Sequence, residues 1–328
     1  MKKLFKFLMY SALGLITVVV LLFVYFSSTF PKTDKPLDVK VEATPERLAR
    51  GKYLVSHVAV CIDCHSTRDY SKFSGPLING TEGKGGEAFN KENIGLPGSI
   101  YARNITPAGI GHWTDGELIR AITCGVNKDG ESLFPLMPYM SYNGLTKEDL
   151  FSIVAYIRSL KPIENKVPEK TLDFPMNLIE KTIPVKSFSM ENQVSRSNPL
   201  EYGKYLVQIA GCSDCHTPQE KGKPIMDKQF AGGMEFYTPE FTLRSANITP
   251  DMASGIGSWS KEFFIQKFKS MESDSAKNVS VSPTSFNTAM PWTMYAGMST
   301  EDLGMIYDFL RTIKPVSNVV NKFSPKNK

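Results

Sequence analysis

Two copies of one short motif constrain this chain more than any other feature of its sequence. The pattern C-x-x-C-H occurs at Cys61–His65 and again at Cys212–His216. Two thiols on one helical turn can each form a thioether with a vinyl group of one haem, and the histidine that follows can ligate the iron. A single CxxC also serves zinc binding and thiol–disulfide chemistry. Two copies, each with a trailing histidine, predict two covalently attached c-type haems. The residues that attach or ligate them are Cys61, Cys64, His65, Cys212, Cys215 and His216.

The rest of the sequence repeats in the same order around these motifs. The segment Gly51–Val55 recurs at Gly203–Val207, and Asn104–Pro107 recurs at Asn247–Pro250. The other repeated pairs are Gly109–Gly111 with Gly255–Gly257, Trp113 with Trp259, Met137–Pro138 with Met290–Pro291, and Glu148–Leu150 with Glu301–Leu303. A conserved order at a period of about 150 residues predicts two homologous domains.

The amino-terminal segment is predicted to anchor the chain in a membrane. Three lysines precede the uncharged stretch Phe7–Phe26, which has the length of a helix about 30 Å long and so matches a bilayer's hydrocarbon core. A cleavable signal peptide has a shorter apolar region and a small-residue cleavage site, so an uncleaved signal anchor is favoured over a signal peptide. The three lysines, Lys2, Lys3 and Lys6, predict a cytoplasmic amino terminus. The domains would then lie on the periplasmic or outer side of a bacterial cytoplasmic membrane.

The predicted order along the chain is a transmembrane signal anchor (1–30), a tether (31–41), domain 1 (42–161), a proline-containing linker (162–196), domain 2 (197–316) and a C-terminal tail (317–328).

Helical patterns in both repeats predict an all-α fold that is built around the haems. The predicted helix N-caps are Thr44, which precedes a proline, and Thr114, Thr146 and Ser299, each followed three residues later by an acidic residue. The last helix of each repeat carries an apolar stripe and ends at a Lys-Pro pair. No segment alternates between polar and apolar residues over the length of a strand, so no sheet is expected.

The sixth ligand of each iron is predicted to be methionine. Met137 and Met290 occupy equivalent positions in the two repeats, and each is followed by proline and an aromatic residue. Proline stiffens the loop, so a flexible thioether can be held at a fixed depth. His57 and His112 are the only other histidines, and the repeat replaces them by glutamine and serine. Met140 and Met294 are the alternative methionines.

Composition excludes several other kinds of protein. The formal net charge is +5, and no basic stripe suggests binding to nucleic acid. Four of the five cysteines lie in the two motifs, so Cys124 has no partner for a disulfide and is expected to be a buried apolar side chain.

These motifs together resemble those of class I c-type cytochromes, especially the multihaem cytochrome c subunits of membrane-bound bacterial dehydrogenases. The resemblance lies in the haem motifs, the Asn-Ile-Thr-Pro segments, the Met-Pro-aromatic runs and the linker stretch Phe174–Asn177, and it covers about residues 44–316. It implies two tandem class I cytochrome c domains, with first and last helices crossing at Gly51 against Tyr156 and at Gly203 against Phe309. It also implies that Asn104 and Asn247 bind haem propionates.

Three functions are compatible with these residues. The favoured one is electron transfer by a membrane-anchored dihaem cytochrome, whose partners would be a dehydrogenase, a quinol-oxidising complex or a terminal oxidase. Two irons that are six-coordinate through His65 with Met137 and through His216 with Met290 have no open position, so no enzymatic activity is expected of the chain itself. The alternative is a dihaem enzyme such as a cytochrome c peroxidase or thiosulfate-oxidising cytochrome, for which His112 and Glu117 are the candidate acid–base groups. A single zinc site formed by the four motif cysteines is the third.

Overall fold

The fold is a mixture of helices and short strands. The structure is a computed structural model that describes residues 2–220, 222–238, 241–282 and 285–326. It is 42 % helix and 9 % strand, with three small sheets. The expectation of an all-α fold is therefore wrong.

The helices of the described residues are α1 (Lys2–Thr29), α2 (Pro45–Tyr53), α3 (Cys61–Cys64), α4 (Lys91–Ile94), α5 (Pro107–Ile110), α6 (Asp115–Cys124), α7 (Tyr139–Tyr142), α8 (Lys147–Arg158), α9 (Met176–Ile179), α10 (Pro199–Ile209), α11 (Cys212–His216), α12 (Lys261–Lys269), α13 (Asp274–Lys277), α14 (Trp292–Tyr295) and α15 (Thr300–Leu310). A π-helical turn (Leu54–Val58) continues α2, and 3-10 turns lie at Glu180–Thr182 and Met226–Lys228. The strands are β1 (Ala88–Asn90), β2 (Gly98–Tyr101), β3 (Thr171–Leu172), β4 (Gln219–Glu220), β5 (Lys223–Pro224), β6 (Glu235–Tyr237), β7 (Phe241–Arg244) and β8 (Phe323–Pro325).

Helix α1 is long, apolar and exposed. Its side chains are apolar, with a mean hydropathy of 2.6 over its most apolar window, and none of them is buried in the protein. Within the described residues it is the one helix long and apolar enough to cross a membrane. This agrees with the predicted anchor by length and composition.

The predicted N-caps are confirmed. The hydroxyl oxygens of Thr44, Thr146 and Ser299 each accept a hydrogen bond from a backbone N–H three residues on, and Thr114 forms a full capping box with Glu117. These bonds satisfy donors that the first helical turn would leave unpaired. The hydroxyl of Thr114 therefore fixes the start of α6 as the sequence indicates.

Two pairs of helices cross in the same way in the two repeats. Helix α2 packs on α8 and α10 packs on α15. A Cβ on Gly51 would lie 2.0 Å from the carbonyl oxygen of Ser152, and one on Gly203 would lie 2.0 Å from that of Met305. Only glycine allows helix axes to approach this closely. The predicted crossings at these glycines are confirmed.

The sheets are built from strands too short to produce a recognisable sequence pattern. Strands β1, β2 and β3 form one antiparallel sheet in which Ala88 pairs with Tyr101 and Gly98 pairs with Leu172. Strands β6, β7 and β8 form an equivalent antiparallel sheet, and β4 pairs with β5. Each strand has two to four residues, whereas alternation is informative only over about four to eight. This explains why the all-α expectation failed.

The contacts between the two repeats are reciprocal. The Tyr53 hydroxyl donates to Asp302 Oδ2 at 2.7 Å, and the equivalent Tyr205 hydroxyl donates to Asp149 Oδ2 at 2.6 Å. These aspartates also form ion pairs, Asp149 with Arg50 at 2.8 Å and Asp302 with Arg196 at 2.6 Å. When equivalent residues exchange the same contacts in both directions, the two halves meet through the same surface.

The same reciprocity holds nearer to the haem motifs. Nδ1 of His57 lies 2.9 Å from the carbonyl oxygen of Met294, and the equivalent Gln208 donates its Nε2 to the carbonyl oxygen of Ser141 at 3.1 Å. One continuous core of buried side chains includes leucines of both repeats: Leu54, Leu150, Leu206 and Leu303. The two halves therefore pack as one body.

Candidate haem sites

Each C-x-x-C-H motif forms a short helical turn that begins after a residue with left-handed backbone geometry. Val60 precedes the first motif with a φ of 42°, and Gly211 precedes the second with a φ of 64°. A β-branched residue such as Val60 is rarely found in this region, and such strain concentrates at functional sites. In both repeats this left-handed residue ends the preceding helix, and the motif helix begins along a new axis.

The motif histidines are oriented in the same way by backbone carbonyls. Nδ1 of His65 lies 2.6 Å from the carbonyl oxygen of Arg103, and Nδ1 of His216 lies 2.7 Å from that of Ala246. A carbonyl only accepts, so Nδ1 carries the proton and Nε2 keeps its lone pair in both rings. Desolvation by burial also lowers the pKa of both histidines. Both rings are therefore neutral at neutral pH, and each offers Nε2 as a ligand.

Two glycines that the sequence reasoning missed support these histidines. Gly85 and Gly232 have φ values of 70° and 74°, and their backbone N–H groups donate to the carbonyl oxygens of His65 and His216 at 2.8 and 2.7 Å. A Cβ on Gly85 would lie 2.5 Å from backbone atoms of Ala102 and Arg103, and Gly232 is equally close to Ala246. The sequence signal was present as a Gly-Gly pair upstream of each Asn-Ile-Thr-Pro segment.

The four motif thiols are free; Cys61, Cys64 and Cys212 are half-buried and Cys215 is exposed. All five cysteines lack disulfides. Desolvation raises the pKa of Cys61 and Cys212 to about 12 and raises the pKa of Cys64 as well. Among the described residues, no group of three or more His, Cys, Asp or Glu side chains is arranged to hold a metal ion. The structure does not bring the motif cysteines together in the way that the zinc alternative requires.

The two methionine loops have the same local structure. Tyr139 N donates to the Met137 carbonyl oxygen and Trp292 N donates to that of Met290, both at 2.8 Å. Both methionine side chains are half-buried against the core. Met140, by contrast, is 53 % exposed, and Met294 lies buried at the contact with His57. The equivalence that pointed to Met137 and Met290 thus extends to their backbone geometry.

A tyrosine connects each methionine loop to the helix before its own haem motif. The Tyr142 hydroxyl donates to the carbonyl oxygen of Ala59 at 2.8 Å, and the Tyr295 hydroxyl donates to that of Ala210 at 2.6 Å. Both tyrosines are buried. The methionine loop and the haem motif of each repeat are therefore held together within that repeat.

The groups proposed for acid–base chemistry are engaged elsewhere or exposed. Glu117 accepts from Thr114 N at 2.7 Å as part of the capping box, and His112 lies at the surface. No observation here favours the peroxidase alternative.

The asparagines of the two Asn-Ile-Thr-Pro segments stabilise their own loops. The Asn104 side-chain oxygen accepts from Thr106 N at 2.9 Å, and its amide donates to the carbonyl oxygen of Ile163 at 2.8 Å. Asn247 makes the same bonds to Thr249 and Val316. Both side chains are buried and have a structural role in their loops, and the implied contact with a haem propionate stays a prediction.

Both attachment motifs lie near the interface between the repeats. The charge of Cys215 contributes to the raised pKa of Cys64, and that of Asp63 contributes to the raised pKa of Cys215. Ser141, which follows the first methionine loop, donates to Asp214 inside the second motif at 3.1 Å. The structure therefore brings both predicted sites to one interface.

Comparison with known proteins agrees with this geometry. No protein-family model matches the chain. The fructose dehydrogenase cytochrome subunit of Gluconobacter japonicus is 29 % identical over 282 residues, which cover 81 % of this chain and 52 % of that protein. The cytochrome c subunit of the quinone-dependent alcohol dehydrogenase of Gluconacetobacter polyoxogenes is 27 % identical over 84 % of this chain and 58 % of its own length. The chain is a homologue of dehydrogenase cytochrome c subunits.

A third relative aligns with a smaller part of this chain. The diheme c-type cytochrome of Cereibacter sphaeroides is 29 % identical over 58 % of this chain and 63 % of its own length. The chain spans about half the length of the two dehydrogenase subunits, 52 % and 58 %. The resemblance to cytochrome c subunits that the motifs indicate is confirmed by these homologues.

Proposed function

We propose that this chain is a membrane-anchored dihaem cytochrome c that transfers electrons. The haem of the first repeat would be attached through Cys61 and Cys64 and ligated by His65 and Met137. The haem of the second repeat would be attached through Cys212 and Cys215 and ligated by His216 and Met290. A haem iron with histidine and thioether ligands is saturated and exchanges only electrons.

One observation carries this proposal. In both repeats a backbone carbonyl fixes the protonated Nδ1 of the motif histidine, at 2.6 Å for His65 and 2.7 Å for His216, so that Nε2 is free to ligate. A hydrogen bond to the second ring nitrogen is the usual way in which proteins orient a ligating imidazole. Its occurrence in both repeats supports two haem sites of the same kind.

The interface supports transfer between the two haems. Ser141 of the first repeat donates to Asp214 inside the second motif, and reciprocal hydrogen bonds such as Tyr53 to Asp302 and Tyr205 to Asp149 fix how the repeats meet. A fixed separation keeps the transfer rate constant, because the packed core does not deform continuously. The chain's residues would thus bury the two haems, orient their ligands and keep the haems at a fixed separation.

The holoprotein, produced with a haem-attachment system, tests this assignment by spectroscopy. We expect two covalent haems per chain and the weak long-wavelength sulfur-to-iron band of the ferric state. Substitutions M137A and M290A should each remove about half of that band. The matched control is M140A, which changes an exposed methionine three residues from Met137 and should leave the band intact. If neither M137A nor M290A reduces the band, the ligand assignment is wrong.

The location and partners follow as part of the same proposal. Helix α1 would cross the cytoplasmic membrane with its lysines inside, leaving both repeats on the outer side. The homologues are subunits of dehydrogenases for fructose and alcohol, so a dehydrogenase is the proposed electron donor. Protease added to intact spheroplasts should digest the haem-containing part, and a cytoplasmic marker should survive. Protection of the haem domains would contradict this topology.

A further inference from the structure

The methionine loop of the second repeat is held by a loop of the first repeat. The 68–75 loop, which follows the first haem motif, runs beside residues 278–282 and 285–290, which lead into Met290. Phe73 N donates to the carbonyl oxygen of Val279 at 2.8 Å, and Val281 N donates to that of Ser71 at 2.9 Å. These two bonds dock the segment on the loop like a short pair of strands.

Ser74 makes the contact that matters most, because it reaches the backbone of Met290 itself. Its hydroxyl donates to the Met290 carbonyl oxygen at 2.7 Å and accepts from Trp292 N at 2.9 Å. Its backbone N–H donates to the side-chain oxygen of Asn287 at 2.8 Å. Ser74 is fully buried, so no water can replace these bonds. One side chain thus connects the two residues that flank Pro291.

The position of Ser74 is itself fixed from the first haem motif. Ser74 has a φ of 62°, an uncommon value for a residue other than glycine. The Arg68 guanidinium donates to the carbonyl oxygens of Ser74 at 2.6 Å and Gly75 at 2.8 Å. Arg68 also pairs with Asp63, which lies inside the first C-x-x-C-H motif, at 2.9 Å. A continuous chain of bonds therefore runs from the first motif to Met290.

The first repeat's methionine has no such support. The Met137 carbonyl oxygen accepts from Tyr139 N, as Met290 does from Trp292 N. In the described part of the chain, however, no hydrogen bond from the second repeat reaches the backbone of Met137. Ser74 therefore breaks the symmetry that the two repeats otherwise share.

We propose that Ser74 is a positioning residue for the axial methionine of the other repeat. It would hold the Met290 loop against its iron, so the second haem would resist loss of its thioether ligand more strongly than the first haem does. This inference rests on the proposed function, because it takes Met290 as the sixth ligand. It adds that the ligation of one haem depends on a residue of the domain that carries the other.

Competition with added imidazole measures this effect at each haem separately. Imidazole displaces a thioether from ferric haem, and loss of the sulfur-to-iron band reports the displacement. In the M137A protein the remaining band reports Met290 alone, and in the M290A protein it reports Met137 alone. Adding S74A to each background separates the two sites.

The expected result is selective. Because the lost hydroxyl bonds are buried, S74A should raise the apparent affinity of imidazole by about tenfold in the M137A background. It should change this affinity by less than about twofold in the M290A background. S74G removes the same hydroxyl at a φ that glycine adopts freely, so it should give the same result if the hydroxyl is responsible.

The S71A variant serves as the control for Ser74. S71A removes an exposed hydroxyl of the same loop, which among the described residues bonds to Asp69 alone, and should leave both affinities unchanged. Equal changes in the two backgrounds, or no change in either, would overturn the role of Ser74. If M137A and M290A do not each leave half of the band, the proposed ligation fails instead, independently of Ser74.

Discussion

Replacement of Tyr53 by phenylalanine tests whether the two repeats stabilise each other. The Tyr53 hydroxyl donates to Asp302 Oδ2 at 2.7 Å and accepts from Ser299 N at 3.1 Å. Asp302 is only 1 % exposed, so water cannot take the place of the lost donor. A hydrogen bond to a charged group contributes about 1.5–3 kcal/mol, and we therefore expect Y53F to lower the free energy of unfolding by about 2 kcal/mol.

The assay is equilibrium unfolding of the holoprotein in guanidinium chloride, followed by far-ultraviolet circular dichroism. The reciprocal variant Y205F should lower the free energy of unfolding by a similar amount, about 2 kcal/mol, because the Tyr205 hydroxyl donates to Asp149 at 2.6 Å. The control is Y101F, since the Tyr101 hydroxyl makes no hydrogen bond within the described residues. It should stay within about 0.5 kcal/mol of the wild type. If Y53F and Y205F behave like Y101F, the reciprocal bonds do not hold the repeats together.

Two further substitutions test the histidine supports and the interface. G85A should destabilise the protein by about 3 kcal/mol, because alanine combines an unfavourable φ of 70° with a backbone overlap at 2.5 Å. G80A has a similar φ in open space and should cost only about 1 kcal/mol by the same guanidinium assay. Burial lowers the pKa of His57, so the folded state keeps the ring neutral and the unfolded chain binds more protons. Stability should therefore fall as the pH drops below about 6.5, and less steeply in H57Q, which copies Gln208; equal slopes would contradict this.

The sequence predicted those features that depend on local chemistry or on the repeat. N-caps such as Thr114 were recognisable because the residue types that satisfy free backbone donors are few. The close crossing at Gly51 was recognisable from the resemblance and from its recurrence at Gly203. Both kinds of signal lie in a short stretch of sequence or in a second copy of it.

Features that depend on contacts between distant segments were missed. Strand β3 belongs to the linker and β8 to the C-terminal tail, and each pairs with a strand far away in the sequence. The bond from Ser74 to Met290 joins residues 216 positions apart and occurs in only one repeat. Neither periodicity nor self-comparison can reveal a contact that has no local pattern and no second copy.

The tether between α1 and the first repeat is short. After α1 ends at Thr29, only residues 30–33 precede Asp34, whose N–H donates to the carbonyl oxygen of Lys186 at 2.8 Å. Val41 N then donates to Asp115 at 2.8 Å, so the chain is already docked on the first repeat. Four residues, even fully extended, reach at most about 14 Å. In the proposed topology, electron exchange would therefore take place close to the lipid surface, where a donor and this carrier would meet by lateral diffusion in two dimensions.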